Sequence, residues 1–262
     1  MLTHFIIGTI ALIVSALTLF SGFGLGTILM PAFALFFPLT VAIAATAVVH
    51  LANNLFKLVL VGRHANGGLV VRFALPAALA AIAGAWLLGQ LAGMPPLARY
   101  GFLGQAREIH AIKLVIGCLI VGFALLELSP RFADLSFPPR FLALGGVISG
   151  FFGGLSGNQG AFRSAFLLKA GLDKQAFVAT GVVAAVIVDT VRLAVYGASF
   201  YTSSFTEFGG DVAPAVGTAI IAAFVGSYVG ARLLEKVTLR FIQVMVAVMM
   251  IGIGAGLASG LL

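Results

Sequence analysis

Four charged side chains stand inside otherwise apolar stretches of the sequence, namely Lys57, Arg163, Asp189 and Arg192. Charge is costly in hydrocarbon, so such residues usually face a polar cavity and have a function. Three cations against one carboxylate suit a small divalent oxoanion better than a cation or a neutral solute. Lys57 and Arg192 have a second interpretation, because each lies near the end of its stretch and could extend its charge to a membrane interface.

A glycine-rich stretch in the second half is a further candidate element of an anion site. It contains, in order, Gly157, Asn158, Gln159, Gly160 and, three residues on, Arg163. A cation in the first turn of a helix is disfavoured by the helix dipole unless something negative lies there too. A bound anion would resolve this conflict, and backbone N–H groups freed at the glycines would help to hold it.

The first half has a plainer glycine-rich stretch with Gly24, Gly26 and Thr27. These residues are predicted to form the matching part of the anion site. Close helix packing is the alternative explanation for glycines in membrane helices. We prefer that explanation for Gly226 and Gly230, which do not stand beside Asn or Gln.

The composition indicates that these residues lie within a membrane domain. Of 262 residues, 61% are hydrophobic and 9% are charged, whereas about a quarter of the residues of a soluble domain are charged. The net charge of +7 is spread over short loops and does not indicate nucleic-acid binding. The single cysteine, Cys118, lies in an apolar run and is predicted to be a small core residue.

Six apolar runs are long enough to cross a bilayer, which takes about 20 residues. They are Leu39–Val61, Phe73–Leu91, Ala111–Leu128, Gln175–Tyr196, Val212–Leu234 and Phe241–Ser259. Two other segments, Phe5–Phe37 and Phe141–Leu168, are broken at the glycine-rich stretches. Each broken segment precedes three plain runs. The sequence therefore predicts an all-α polytopic membrane protein of two repeats, residues 1–130 and 131–262.

A residue match supports the repeat. A shift of 135 positions places Asn54 and Lys57 onto Asp189 and Arg192. Internal duplication is common in secondary transporters, whose sites lie where the repeats meet. Matching residues would then approach each other near the middle of the membrane.

The distribution of basic residues predicts that the repeats are inverted. If each broken segment is a re-entrant helical hairpin, nine basic residues of the loops fall on one side, which is then cytoplasmic. These are Arg63, Arg72, Arg131, Arg140, Lys169, Lys174, Arg232, Lys236 and Arg240. The other side has Arg99, Arg107 and Lys113, and both termini. Bent single spans in place of hairpins are the alternative.

Asp189 lies one turn before Arg192, so an ion pair between them is expected. Asp189 and His50 are also candidates for a proton acceptor that couples transport to a gradient. The sequence has no phosphate-binding loop, no metal-ligand spacing and no hydrolase motif. An intramembrane enzyme is therefore the weaker class, and we predict no cofactor, no metal and no nucleic-acid partner.

Three stretches resemble the sulfite exporter TauE/SafE family of bacterial anion permeases. They are SGFGLGTILMP at 21–31, NNLFK at 53–57 and, most specifically, SGFFGGLSGNQGAFRSAFLL at 149–168. The resemblance implies transport of sulfite, sulfonates or related organosulfur acids across the bacterial inner membrane. It points to Asn54, Lys57, Gln159, Gly160, Arg163 and Arg192. Asp189 is a departure, because many members have a less polar residue there.

The sequence as a whole predicts an alternating-access transporter, not an enzyme. The protein lies in the lipid bilayer and carries a small sulfur oxoanion across it. The predicted substrate-binding residues are Gly24, Gly26, Thr27, Asn54, Lys57, Gly157, Asn158, Gln159, Gly160, Arg163 and Arg192. Protons are the candidate coupling ion. The sequence leaves open whether the protein forms a homodimer. The alternatives are an uncoupled anion channel or uniporter and a non-transporting intramembrane protein.

Overall fold

A computed structural model describes residues 2–18, 25–129, 131, 135–198, 202–233 and 239–262. At 17, 18, 27, 127, 202–209, 231–233, 239–243, 245 and 246 it describes the backbone alone. Much of the first glycine-rich stretch, with Gly24 and the side chain of Thr27, therefore lies outside the described residues.

The described chain is mainly α-helical. Its helices are α1 (Leu2–Thr18), α2 (Leu25–Ala34), α3 (Leu39–Val61), α4 (Gly67–Ala92), α5 (Ala111–Leu128), α6 (Leu142–Ser156), α7 (Gly160–Leu167), α8 (Lys174–Tyr196), α9 (Thr202–Leu233) and α10 (Leu239–Ser259). Short 3-10 turns lie at Gly62–His64 and Pro139–Phe141. The helices α3 and α5 have the bounds that the apolar runs predicted.

Side-chain caps explain where two of the longer helices begin. Asn66 precedes α4 and accepts a hydrogen bond from the Leu69 N–H at 3.1 Å. Asp173 precedes α8 and accepts one from the Ala176 N–H at 2.8 Å. Such caps satisfy backbone donors that have no partner within the helix. The helix α4 therefore begins six residues before the apolar run at Phe73.

Several of these helices can cross a membrane. Among the described residues, four are long and apolar enough: Leu39–His64, Gly67–Ala92, Lys174–Tyr196 and Gly210–Gly230. Shorter apolar helices lie at Leu2–Ala16, Ala111–Leu126 and Ala247–Ser259. With the composition, this identifies an all-α membrane protein.

Small residues let α4 and α6 pack in close parallel contact. A Cβ on Gly146 would meet the Phe73 carbonyl oxygen, and one on Gly150 would meet that of Ala77. The contacts advance along both helices together, so the two helices run in the same direction. Small residues at such spacing let membrane helices approach backbone to backbone.

The helices α1 and α9 make a second parallel pair of the same kind. A Cβ on Gly226 would meet the Leu12 carbonyl oxygen, and one on Gly230 would meet that of Ala16. The packing role predicted for these two glycines is therefore confirmed. Elsewhere, α3 packs on α8, and α5 packs on α10 where Gly117 meets Gly254.

Each broken segment folds as a pair of helices whose outer ends lie close together. In the second pair, a Cβ on Gly145 near the start of α6 would collide with the Phe166 ring near the end of α7. The Phe137 N–H also donates to the Ala165 carbonyl at 3.1 Å. In the first pair, one cavity is lined by His4 near the start of α1 and by Phe37 just after α2.

A β-hairpin lies between α4 and α5, outside the apolar runs. Its strands β1 (Ala98–Phe102) and β2 (Gln105–Ile109) are antiparallel, with Phe102 paired to Gln105. The turn residues Leu103 and Gly104 both have positive φ, as two-residue hairpins of type I′ require.

The β-hairpin binds the C-terminal residues of the chain. The Tyr100 hydroxyl donates to the Ser259 carbonyl at 2.5 Å, and Arg107 Nη1 donates to the Leu261 carbonyl at 3.3 Å. A Cβ on Gly260 would meet the Glu108 carbonyl oxygen. The hairpin and the C-terminus therefore lie on the same face of the protein.

The prediction for Cys118 is wrong, because its side chain is exposed. Its neighbour Gly117 faces α10, so Cys118 points to the outer surface of α5. An apolar run does not by itself tell which face of a helix packs inward, and a membrane helix can be apolar on both faces.

The close packing of α4 and α6 predicts a large difference between two glycine-to-alanine changes. We expect Gly150→Ala to destabilise the protein by about 1–3 kcal/mol, because its methyl group would overlap the Ala77 backbone. Gly122 on α5 has nothing within 4 Å of its Cβ position, so Gly122→Ala is the matched control. Melting temperatures of the purified variants in detergent measure the difference, and equal values would contradict the packing described.

Candidate functional site

The break in the second pair is a tight turn between α6 and α7. The helix α6 ends at Ser156, and Gly157 follows with φ of 85°, a left-handed conformation suited to glycine. The Gly157 N–H donates to the Gly153 carbonyl at 3.0 Å, and the Gln159 N–H to the Gly157 carbonyl at 3.1 Å. The turn is shorter than the glycine-rich stretch, since Gly153 and Gly154 are helical.

Asp189 is the centre of a buried polar network. His50 Nδ1 lies 2.6 Å from its Oδ2, and Asn54 Nδ2 donates to the same oxygen at 3.1 Å. Gln159 Nε2 donates to Oδ1 at 3.0 Å. Arg192 Nη2 is 2.9 Å from Oδ1, so the expected ion pair is confirmed. The network joins α3 to α8 and to the turn before α7.

The network brings both halves of the chain together. Asn54 and Asp189, which the shift of 135 positions aligns, hydrogen-bond to each other. A Cβ on Gly26 in α2 would lie 3.2 Å from the Gly157 carbonyl oxygen and 3.8 Å from a ring carbon of His50. The start of α2 is therefore beside the turn of the second pair.

Arg192 is fully buried against that turn. Its Nη1 donates to the Gly153 carbonyl at 3.3 Å, and a Cβ on Gly157 would lie 2.7 Å from the same nitrogen. One turn further along α8, the Tyr196 hydroxyl donates to the Gly154 carbonyl. The end of α6 is thus held by two side chains of α8.

Arg163, Lys57 and Asn158 are buried as well, with 6%, 6% and 2% of their surfaces exposed. Arg163 lies in the first turn of α7 and passes Gly181, whose Cβ position is 3.4 Å from Arg163 Nε. The Asn158 amide makes no hydrogen bond to the described part of the chain.

A second polar cluster, which the sequence analysis missed, surrounds Lys57. It consists of Ser15 on α1, Asn53 on α3 and Ser227 on α9, all fully buried. Ser15 Oγ and Ser227 Oγ are 2.9 Å apart. Single uncharged residues separated by 212 positions give no local pattern, and only their burial together identifies them.

The structure thus brings together Gly26, Asn54, Gly157, Gln159 and Arg192 with His50 and Asp189. Gly160 begins α7, with Asn158 and Arg163 on either side of it in the chain. No contact joins Lys57 to Arg192 in what is described, although the sequence analysis expected both at one cavity. No group of three or more His, Cys, Asp or Glu side chains that could hold a metal occurs among the described residues.

Comparisons with known proteins agree with the resemblance noted in the sequence. The family model described as sulfite exporter TauE/SafE matches residues 7–257. Curated proteins and solved structures gave no significant match. The match covers nearly the whole chain and describes an exporter rather than an enzyme. The chain therefore belongs to the sulfite exporter TauE/SafE family of membrane transport proteins.

Proposed function

We propose that this protein is a secondary transporter of the bacterial inner membrane that carries small sulfur oxoanions, such as sulfite or organosulfonates, by alternating access. The anion binds at the start of α7, between Asn158, Arg163 and Lys57. The single observation that carries this assignment is the buried Asn158 amide. Neither its oxygen nor its nitrogen makes a hydrogen bond within the described chain.

A buried amide without a partner is costly, and native proteins keep few of them. Asn158 stands directly before Gln159 and the first turn of α7, where backbone N–H groups have no partner within the helix. An oxyanion at this point accepts from the amide nitrogen and from those N–H groups. It also compensates the charge of Arg163, which the helix dipole alone would disfavour.

The charges favour a doubly negative anion. The Asp189 carboxylate and the Arg192 guanidinium are 2.9 Å apart and compensate each other. Lys57 and Arg163 then supply two positive charges to the site. Both cations attract a doubly negative anion more strongly than a monovalent one, and the low-dielectric interior strengthens that attraction.

Two inverted repeats, residues 1–130 and 131–262, give this site its position. Gly84 on α4 approaches the Phe151 carbonyl of α6, and Gly230 on α9 approaches the Ala16 carbonyl of α1. Positions 16 and 151 differ by the same 135 residues that separate Asn54 from Asp189. This pair of contacts between the halves supports a pseudo-two-fold axis between the repeats.

The directions of the helices support inversion. The end of α3 lies beside the start of α8, where the Asn66 N–H donates to Thr180 Oγ1 at 3.0 Å. The helix α4 starts on this face, and α6 runs parallel to it, so the pair α6 and α7 opens here. The helix α3 runs toward this face, so it begins at the other face. Since α2 ends just before α3 begins, the pair α1 and α2 opens to that other face.

Two hairpins that open to opposite faces and meet at their turns are suited to alternating access. Gly26 and Gly157 meet at the centre, so movement of one half against the other would open the anion site to either side. The contact of His50 with Asp189 joins the halves and is the candidate site for a coupling proton.

Replacing Asn158 by leucine tests the assignment of the anion site. Leucine is close in size and has no polar atoms, so Asn158→Leu should raise the stability of the ligand-free protein by about 1 kcal/mol. It should also abolish the rise in melting temperature that sulfite causes in the wild type. The control is Asn66→Leu, which changes only the helix cap of α4. An unchanged sulfite response in Asn158→Leu would place the anion elsewhere.

A further inference from the structure

We propose that Asn53 is a positioning residue that sets the place of the Lys57 ammonium, and with it the preference of the site for doubly charged anions. This inference rests on the proposed anion site. Asn53 lies one turn before Lys57 on α3 and is fully buried. It has no counterpart in the other half, where position 188 is a valine.

Four polar atoms surround the Asn53 amide. Lys57 Nζ at 3.3 Å and Ser15 Oγ at 3.1 Å lie on one side, and Ser227 Oγ at 2.8 Å and the Ala223 carbonyl oxygen at 3.3 Å lie on the other. The ammonium can only donate, and the carbonyl can only accept. The amide oxygen therefore faces Lys57 and Ser15, and the amide nitrogen faces Ser227 and Ala223.

This arrangement fixes the amide from three helices. Ser15 belongs to α1, Ser227 and Ala223 belong to α9, and Asn53 itself belongs to α3. The two serine hydroxyls also lie 2.9 Å apart, so each helps to hold the other. A buried amide whose oxygen and nitrogen both have partners is restricted to one arrangement.

A neutral acceptor has a particular advantage beside Lys57. A flexible lysine chain needs a partner to stay in one place, and the amide oxygen supplies it without cancelling the charge. A carboxylate at the same position would neutralise the ammonium. Asn53 thus holds Lys57 in place and leaves its positive charge for the anion.

The test compares thiosulfate, a dianion, with methanesulfonate, a monoanion, as ligands of wild type, Asn53→Asp and Asn53→Leu. Affinities are measured from ligand-dependent melting temperatures of the purified proteins. The aspartate in Asn53→Asp has nearly the same shape as the asparagine. Its carboxylate should lower the affinity for thiosulfate at least about tenfold more than the affinity for methanesulfonate. Asn53→Leu removes the acceptor without adding charge. The displaced ammonium should then weaken the binding of thiosulfate at least about threefold, and that of methanesulfonate less.

The role of Asn53 would be overturned if Asn53→Asp lost the same affinity for both ligands. It would also be overturned if Asn53→Leu kept wild-type affinities. Each variant is decisive by itself if the other does not fold. The control is Lys57→Gln/Asn53→Asp, in which the added carboxylate has no ammonium to neutralise. There the selective loss of thiosulfate, relative to Lys57→Gln alone, should be much smaller. If the wild type binds no sulfur oxoanion at all, the proposed function fails instead.

Discussion

Arg163→Gln is expected to reduce saturable sulfite uptake by proteoliposomes at least about a hundredfold, while the protein remains folded. Arg163 lies in the first turn of α7 and is 6% exposed. Glutamine keeps much of the side-chain length but removes the charge that attracts the anion. Lys57→Gln should act in the same direction, because Lys57 is the second cation of the proposed site.

The stability of these variants separates a binding role from a structural one. A binding role predicts that the variants stay folded but lose the rise in melting temperature that sulfite causes in the wild type. Arg140→Gln is the matched control, since Arg140 is exposed and lies over the Phe141 ring at 4.8 Å. Sulfite uptake by Arg163→Gln at the wild-type rate would show that the anion binds away from α7.

Asp189→Asn is expected to abolish accumulation of sulfite driven by a proton gradient, while exchange of sulfite across the membrane continues. Asp189 is fully buried and contacts His50, Asn54, Gln159 and Arg192. It joins α3 to α8, and the proposed alternating access would require movement at this contact. Asparagine keeps the shape of the carboxylate but cannot bind and release a proton at its side chain.

The measurement is sulfite accumulation in proteoliposomes with and without an imposed pH gradient, beside sulfite counterflow at equal pH. Glu108→Gln provides the control, because Glu108 is an exposed carboxylate of the β-hairpin that pairs with Arg99. Gradient-driven accumulation that persists in Asp189→Asn would exclude Asp189 as the coupling residue. Loss of counterflow as well would assign it a structural role only.

The plain helices could be predicted from the sequence because hydropathy alone determines them. The run from Leu39 to Val61 is apolar from end to end, and α3 has the same bounds. Where polar residues continue a helix beyond its apolar run, the predicted start of the helix was wrong. The helix α9 begins at Thr202, ten residues before the apolar run, and hydropathy carries no signal for such an extension.

The β-hairpin was missed for a different reason. Its strands alternate only weakly in polarity, and Leu103 takes a positive φ that its residue type does not predict. What stabilises the hairpin is its contact with the C-terminal residues, through Tyr100 and Arg107. Contacts between such distant parts of a chain are not visible in a local pattern.

The burial of Lys57, Arg163, Asp189 and Arg192 could be predicted because charge in an apolar run is rare. The alignment of Asn54 with Asp189 also anticipated that they approach each other, and they hydrogen-bond at 3.1 Å. The separate environments of Lys57 and Arg192 could not be predicted. The environment of Lys57 depends on Ser15, Asn53 and Ser227, which are ordinary residues until three helices bring them together.

Sulfite flux into liposomes that contain only the purified protein tests the central claim most directly. The account predicts uptake that saturates with sulfite concentration and is accelerated by sulfite or thiosulfate on the opposite side, as a carrier requires. Flux that rises linearly without counterflow would indicate an uncoupled channel. Absence of flux for sulfite, thiosulfate, sulfate and sulfonates would contradict the account.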